Sequence, residues 1–344
     1  GLSIAVINDY QIEWVKYYGI LNLDTNAKVT EESYFEAASV TKMVVATLVL
    51  NFVDRGLLDL DQDVNQYLKS WKLPENDFTK NQKVTLRLLL SHQSGIPASN
   101  TGFIRGQIPS LVQMLNGESP ALNKAAVVES VPGEQWAYSN IGYVVVQQIL
   151  EDITGKPLQQ IMTETVFDPL EMNNSTLEYP LTKDRQKHEV MPHDMFGAVR
   201  KPLMHPTALA QGGLVTTSED LAKLIVELMK AYNGESDLIL TQKAAKNMIN
   251  RYCEIAPEQS FNNDLFLNSM GLGVFIRGND ENFVFDHFGF NNPGLSCLAS
   301  GIPSQGKGIV IMANGANFLK LYQEIIGAVS NEYQWINNPY AQNK

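Results

Sequence analysis

An α+β fold is the class that this sequence predicts. Three observations carry it: β-rich segments at both ends, a helical and loop-rich middle, and tight turns joining the C-terminal strands. Consecutive strands with tight turns imply an antiparallel sheet. The expected architecture is an antiparallel β-sheet flanked by helices, built from residues 1–56 and 215–344, with a mainly helical lobe from 57–214 inserted between them.

The elements follow in order. Ser3 to Asn8 and Ile12 to Tyr18 are β-rich and flank Asp9-Tyr10-Gln11, which reads as a hairpin. Ala38 to Arg55 is helical, because Met43, Ala46, Leu50 and Val53 recur at three- and four-residue steps, and Gly56 supplies a stop. Thr85 reads as the N-cap of a helix through Leu90. Ile141 to Thr154 is apolar at helical spacing and ends at Gly155, and Leu158 to Phe167 continues until Asp168-Pro169 breaks it. Thr217-Ser218-Glu219-Asp220 opens a helix to about Ala231. Leu272 to Ile276, Phe283 to Phe288, Gly294 to Ala299 and Gly308 to Ala313 are strands, with a turn at Ile302-Pro303-Ser304-Gln305-Gly306. Phe318 to Trp335 is a closing amphipathic helix.

Composition narrows the function. The chain has 344 residues, 44% of them apolar and 18% charged, which is globular rather than disordered. A net charge of −11 repels phosphate backbones, so no nucleic-acid partner is expected. No uninterrupted apolar segment is long enough to be a transmembrane helix. The first residues, Gly1 to Ile7, are already strand-like and show no signal-peptide pattern. Cys253 and Cys297 read as free thiols, without the CxxC spacing of a redox or zinc site. No metal and no cofactor are expected. The spacings of His188, His193 and His205 fit no zinc pattern, and His92 reads as structural.

Three motifs carry chemistry. Ser39 and Lys42 stand three apart at a helix start and so share a face. A serine hydroxyl needs a base. A lysine amine serves if it is desolvated, and Met43-Val44-Val45 follow it. Alone, this spacing equally describes a helix cap and a surface lysine. Trp136-Ala137-Tyr138-Ser139-Asn140 precedes an apolar helix. Tyr138 could relay a proton if a nearby cation favours phenolate character. Asn140 could meet a substrate carbonyl and the lysine, or cap the helix. Asp286-His287-Phe288-Gly289-Phe290 lies on an expected strand. There Gly289 would allow a substrate backbone to approach, and the Phe290 N–H could pair with that of Ser39 as oxyanion donors. His287 could face Tyr138 or the substrate, or be satisfied by Asp286.

In this order the motifs resemble those of the penicillin-recognising serine enzymes, in particular the class C β-lactamase branch, with its DD-peptidases, D-aminopeptidases and esterases. Residues 85–96, residues 211–221 and Asn292-Pro293-Gly294 are also similar to that family. The resemblance implies a β-lactamase/transpeptidase-like fold with the cleft between sheet and helical lobe. It implies Ser39 as nucleophile, Lys42 as base, Tyr138 as proton relay and Asn140 as partner of substrate and lysine. His287 and Gly289 would form the third edge of the cleft. It further implies a small-molecule or peptide acyl substrate and an exported protein.

Two departures matter. The third motif resembles Lys-Thr-Gly in β-lactamases of this branch, and here it is His287-Phe288-Gly289. Histidine is mostly neutral near pH 7, and Phe288 has no hydroxyl for a substrate carboxylate. The expectation is therefore ester or amide cleavage ahead of β-lactam or cell-wall peptide hydrolysis, with a non-turnover sensor as a third reading. The family also carries a helix before the first strand, whereas this sequence starts inside that strand.

Overall fold

The β-rich termini meet in one sheet. The computed structural model describes residues 1–98, 101–104, 106–201, 207–259, 269–316 and 318–336. Its strands are β1 (Leu2–Asn8), β2 (Gln11–Tyr18), β3 (Ile20–Asn22), β4 (Ala27–Lys28), β5 (Phe35–Glu36) and β6 (Val215–Thr216). They continue with β7 (Cys253–Glu254), β8 (Ser269–Met270), β9 (Phe275–Gly278), β10 (Phe283–Asn291), β11 (Leu295–Ile302) and β12 (Lys307–Ala313). Eight of them form one sheet in the order β2-β1-β12-β11-β10-β9-β8-β7, with every pairing antiparallel.

The helices are α1 (Thr41–Asp54), α2 (Leu86–Leu90), α3 (Leu111–Asn116), α4 (Asn140–Thr154), α5 (Leu158–Met162), α6 (Lys183–Gln186), α7 (Ser218–Asn233), α8 (Gln242–Met248) and α9 (Phe318–Glu332). Strand alternation explains how they cover the sheet. In β1, Ala5 and Ile7 join the large core that contains α1 and α7. Ile4 and Val6 point the other way and pack with Tyr322, Ile326 and Val329 of α9. β1 is therefore buried on both faces, as the unbroken run Ile4-Ala5-Val6-Ile7 requires.

Most expected boundaries hold within a residue or two, as helix ends usually do. The larger differences have local causes. The strand expected at Leu272 begins instead at Phe275, because Gly273 takes a positive φ of 74° in a turn against α1. The helix expected from Leu158 to Phe167 is α5 followed by a π-helical turn, Thr163–Phe167. The start of the helix after Ala38 is a 3-10 turn, Ala38–Val40, ahead of α1. His205, among the histidines weighed above, lies outside the described residues. Both cysteines are free thiols; Cys297 is buried and Cys253 half-buried.

Candidate active site

Ser39 sits in the 3-10 turn that feeds α1. The preceding Ala38 has a φ of +47°, a left-handed conformation that costs a non-glycine residue about 1–2 kcal/mol. The fold holds it there from two sides. Thr41 Oγ1 donates to the Ala38 carbonyl at 2.6 Å. Gly289 of β10 packs so close that a Cβ would lie 2.4 Å from the Ala37 oxygen and 2.7 Å from the Ser39 nitrogen. Among the described residues β9 pairs with β10 only as far as Asp286, and β10 beyond it meets the turn.

Lys42 lies one helical turn on, with no exposed surface. Its Nζ is hydrogen-bonded to Ser39 Oγ at 3.1 Å and donates to the Gln211 carbonyl at 2.6 Å. Burial pushes the amine well below the ordinary lysine range, which favours the neutral form. The same Nζ lies 4.9 Å from the Tyr138 ring centroid and 5.5 Å from that of Tyr143.

Tyr138 precedes α4 and hydrogen-bonds Ser39. Burial raises its phenol, and the bond to Ser39 lowers it by less. Phenolate character is therefore opposed, and burial favours the uncharged form of both the phenol and the amine. The cap of α4 is Ser139, whose Oγ accepts the Gly142 N–H at 3.2 Å. Asn140 is the first helical residue instead, half-buried, and makes no hydrogen bond to Lys42. The lysine's second partner is the carbonyl of Gln211.

His287 shares a face of β10 with Gly289, by alternation. It is fully buried, and its Nδ1–H donates to the Phe288 carbonyl at 2.7 Å. Burial is the main cause that lowers it to about 3, so it is neutral. Its Nε2 has no hydrogen-bond partner among the described residues, and its ring centroid lies 6.4 Å from that of Tyr138. Asp286 does not satisfy it, since neighbouring strand residues face opposite ways. Asp286 is instead ion-paired to Arg277 of β9. Phe288 stacks on Phe275 at 5.5 Å, and Phe290 turns its ring onto Phe318 of α9 at 4.9 Å. Only the backbone N–H of Phe290 is thus a candidate for the cleft.

The sequence brings Ser39, Lys42, Tyr138, Gly289 and His287 into one neighbourhood. It assigned no role to Gln211, Tyr143 or Glu36. Tyr143 reads as one more apolar position of α4, although its Oη donates to the Leu90 carbonyl at 3.2 Å. Gln211 reaches Lys42 through its backbone oxygen, which no side-chain pattern reveals. Glu36, three residues before Ser39, accepts from Asn291 Nδ2 and so ties β5 to the end of β10. His188 and His193 lie apart from the cleft chemistry: one faces Glu32 at 3.4 Å, and the other accepts the Leu23 N–H at 3.1 Å.

Comparison with known proteins adds the following. The family model described as Beta-lactamase matches residues 1–329. The chain is 26% identical over 317 residues to Protein flp of Staphylococcus aureus (strain N315), covering 91% of this chain and 59% of that protein. It thus spans less than two thirds of the length of that relative. D-amino acid amidase from Ochrobactrum anthropi SV3, complexed with D-phenylalanine, superposes with a TM-score of 0.77 at 21% identity, covering 96% of this chain and 94% of that one. The octameric penicillin-binding protein homologue from Pyrococcus abyssi superposes with a TM-score of 0.74 at 22% identity, covering 99% and 74%. At these identities the two structures establish a shared fold.

Proposed function

The chain belongs to the beta-lactamase family, and from that membership and the geometry of the cleft we propose that it is a serine acyl-hydrolase that cleaves esters or amides lacking a free carboxylate. The observation that carries the reading is the buried Lys42 amine at 3.1 Å from Ser39 Oγ. A neutral amine that donates to Gln211 keeps its lone pair for the serine proton. In this reading Ser39 attacks the carbonyl and Lys42 takes its proton. Tyr138 passes a proton to the leaving group. The backbone N–H groups of Ser39 and Phe290 hold the oxyanion, Asn140 meets the substrate carbonyl, and water then releases the acyl group.

Substrate preference rests on the third motif. A neutral, buried His287 offers no fixed charge to a carboxylate. Phe288 offers no hydroxyl, and its ring packs on Phe275. β-Lactams and cell-wall peptides both present a carboxylate, so the cleft lacks the contact that would favour them. A D-amino-acid amide is compatible with this site, and likeness to a D-amino acid amidase keeps that substrate class next in order.

Intact mass after exposure to a fluorophosphonate, a penicillin and 4-nitrophenyl acetate tests the proposal. Ser39 is expected to be labelled by the phosphonate, to turn over the ester, and to react slowly with the penicillin. Ser39→Ala removes labelling, and Lys42→Ala slows it by about 100- to 10,000-fold. An unlabelled Ser39, or a Lys42→Ala variant at near-native rate, would overturn the assignment. The rising limb of activity with pH should fall well below the ordinary lysine range, since burial depresses the amine. A limb unchanged in Lys42→Ala would assign it to another group.

A further inference from the structure

We propose that His92 is the positioning residue for Tyr138, holding the phenol in register with Ser39 through a neutral imidazole. The inference rests on the serine-hydrolase reading and extends it to a residue that the sequence presents as merely structural.

His92 grips the chain on both sides of Tyr138. Its carbonyl accepts the Ala137 N–H at 2.8 Å, and its Nδ1 accepts the Ser139 N–H at 3.0 Å. Its ring lies along the Tyr138 ring, with centroids 4.2 Å apart and planes 32° apart. One residue thus fixes the peptide before the tyrosine, the peptide after it and one face of the ring. The grip continues into α4, because Ser139 Oγ bonds the Pro97 carbonyl at 3.2 Å and accepts the Gly142 N–H.

The bond to Ser139 sets the tautomer. A nitrogen that accepts an N–H carries no proton, so the proton is on Nε2. Nε2 has no hydrogen-bond partner among the described residues, and the backbone of His92 is left-handed, with a φ of +58°. An orphaned buried donor and a left-handed non-glycine residue both cost folding free energy. A residue kept only for packing would carry neither cost. Burial also depresses the imidazole well below its usual range, so the acceptor persists through neutral pH. An imidazolium could not accept the Ser139 N–H.

The test compares two substitutions. His92→Asn keeps an acceptor at the position of Nδ1 and tolerates left-handed backbone. His92→Phe keeps the ring but loses the acceptor. Turnover of 4-nitrophenyl acetate and the rate of fluorophosphonate labelling are measured for both, with thermal melts alongside. His92→Phe is expected to lower kcat at least tenfold with KM little changed, and His92→Asn to recover most of that loss. In a Tyr138→Phe background the cost of His92→Phe should largely vanish, because the two act as one unit. If His92→Phe is too unstable to assay, the same cycle is run with His92→Asn and His92→Gln, which differ in where the acceptor sits. The proposal is overturned if loss of the acceptor leaves kcat native, or if its full effect persists without the tyrosine hydroxyl. A wild-type protein that labels normally while the His92 variants do too sinks this inference alone. A wild-type protein that never labels sinks the nucleophile reading and this inference with it.

Discussion

A fully buried lysine is an expensive residue, since desolvation opposes its charge and its long side chain is immobilised. The cost fits the proposed base, a neutral amine one helical turn from Ser39. Ser39 and Lys42 were legible in the sequence because their contact is local: residues three apart at a helix start meet whatever surrounds them. Tyr138 was legible as a motif, but its partner was not. His92 lies far from Tyr138 along the chain, and nothing in its spacing signals the bond to Ser139. Gly289 makes a sharp prediction at this scale. Its Cβ would meet the Ala37 oxygen, the Ser39 nitrogen and Ala38 Cβ within 2.9 Å, two of the three being backbone atoms that no rotamer change can move. Gly289→Ala should push β10 away from the turn and lower kcat roughly 100-fold, the cost of a misplacement near 1 Å. Circular dichroism should show the fold retained. A native rate with a native melting temperature would mean that the close approach is unnecessary.

Among the elements, β10 does the most to assemble the candidate site. One of its faces carries His287 and Gly289 to the serine turn, and its other face is covered by α9 through Phe288 and Phe290. β9 is held to it by the buried pair of Arg277 and Asp286. Taking the carboxylate away leaves a guanidinium in a site with almost no water. Asp286→Ala should therefore cost about 3–5 kcal/mol in a urea titration, whereas Arg277→Met with Asp286→Leu should recover most of it. Equal losses for the single and double variants would show that the pair contributes shape rather than charge compensation. The sequence placed β10 within three residues of its true end, but it offered Asp286 to the wrong partner. Adjacent positions on a strand face opposite ways, and the register with β9 decides which neighbour a side chain meets.

At the scale of the whole molecule, buried ionisable groups tie folding to pH. Glu36 is raised from 4.5 to about 8 by burial, partly offset by the Asn291 hydrogen bond, with Glu189 nearby adding to the rise. The folded protein thus binds a proton that the unfolded chain releases, and Glu36 removes stability as pH climbs from about 4.5 to about 8. Lys42 acts with the opposite sign: burial lowers the pKa of its folded amine below that of the unfolded lysine, so its penalty fades as pH rises towards the ordinary lysine range. The clean observable is a difference. Glu36→Gln keeps an acceptor for Asn291 and should grow more stable relative to the parent between about pH 4.5 and 8, by on the order of a few kcal/mol at the plateau. Melting temperatures of the two proteins across that range test it, and a constant gap would show that Glu36 is ionised in the folded state.

Taken by itself, the sequence determined the α+β class, the order of the main strands and helices, the cap at Thr85, the helix opening at Thr217 and the serine-lysine pair. Each of these depends on periodicity or on neighbours within one turn. Tertiary structure alone decided that Ser139 rather than Asn140 caps α4, that Gln211 holds the lysine and that Arg277 takes Asp286. It also decided that His92 brackets Tyr138. Those outcomes turn on backbone atoms and cross-chain register, which exist only once distant segments have packed together.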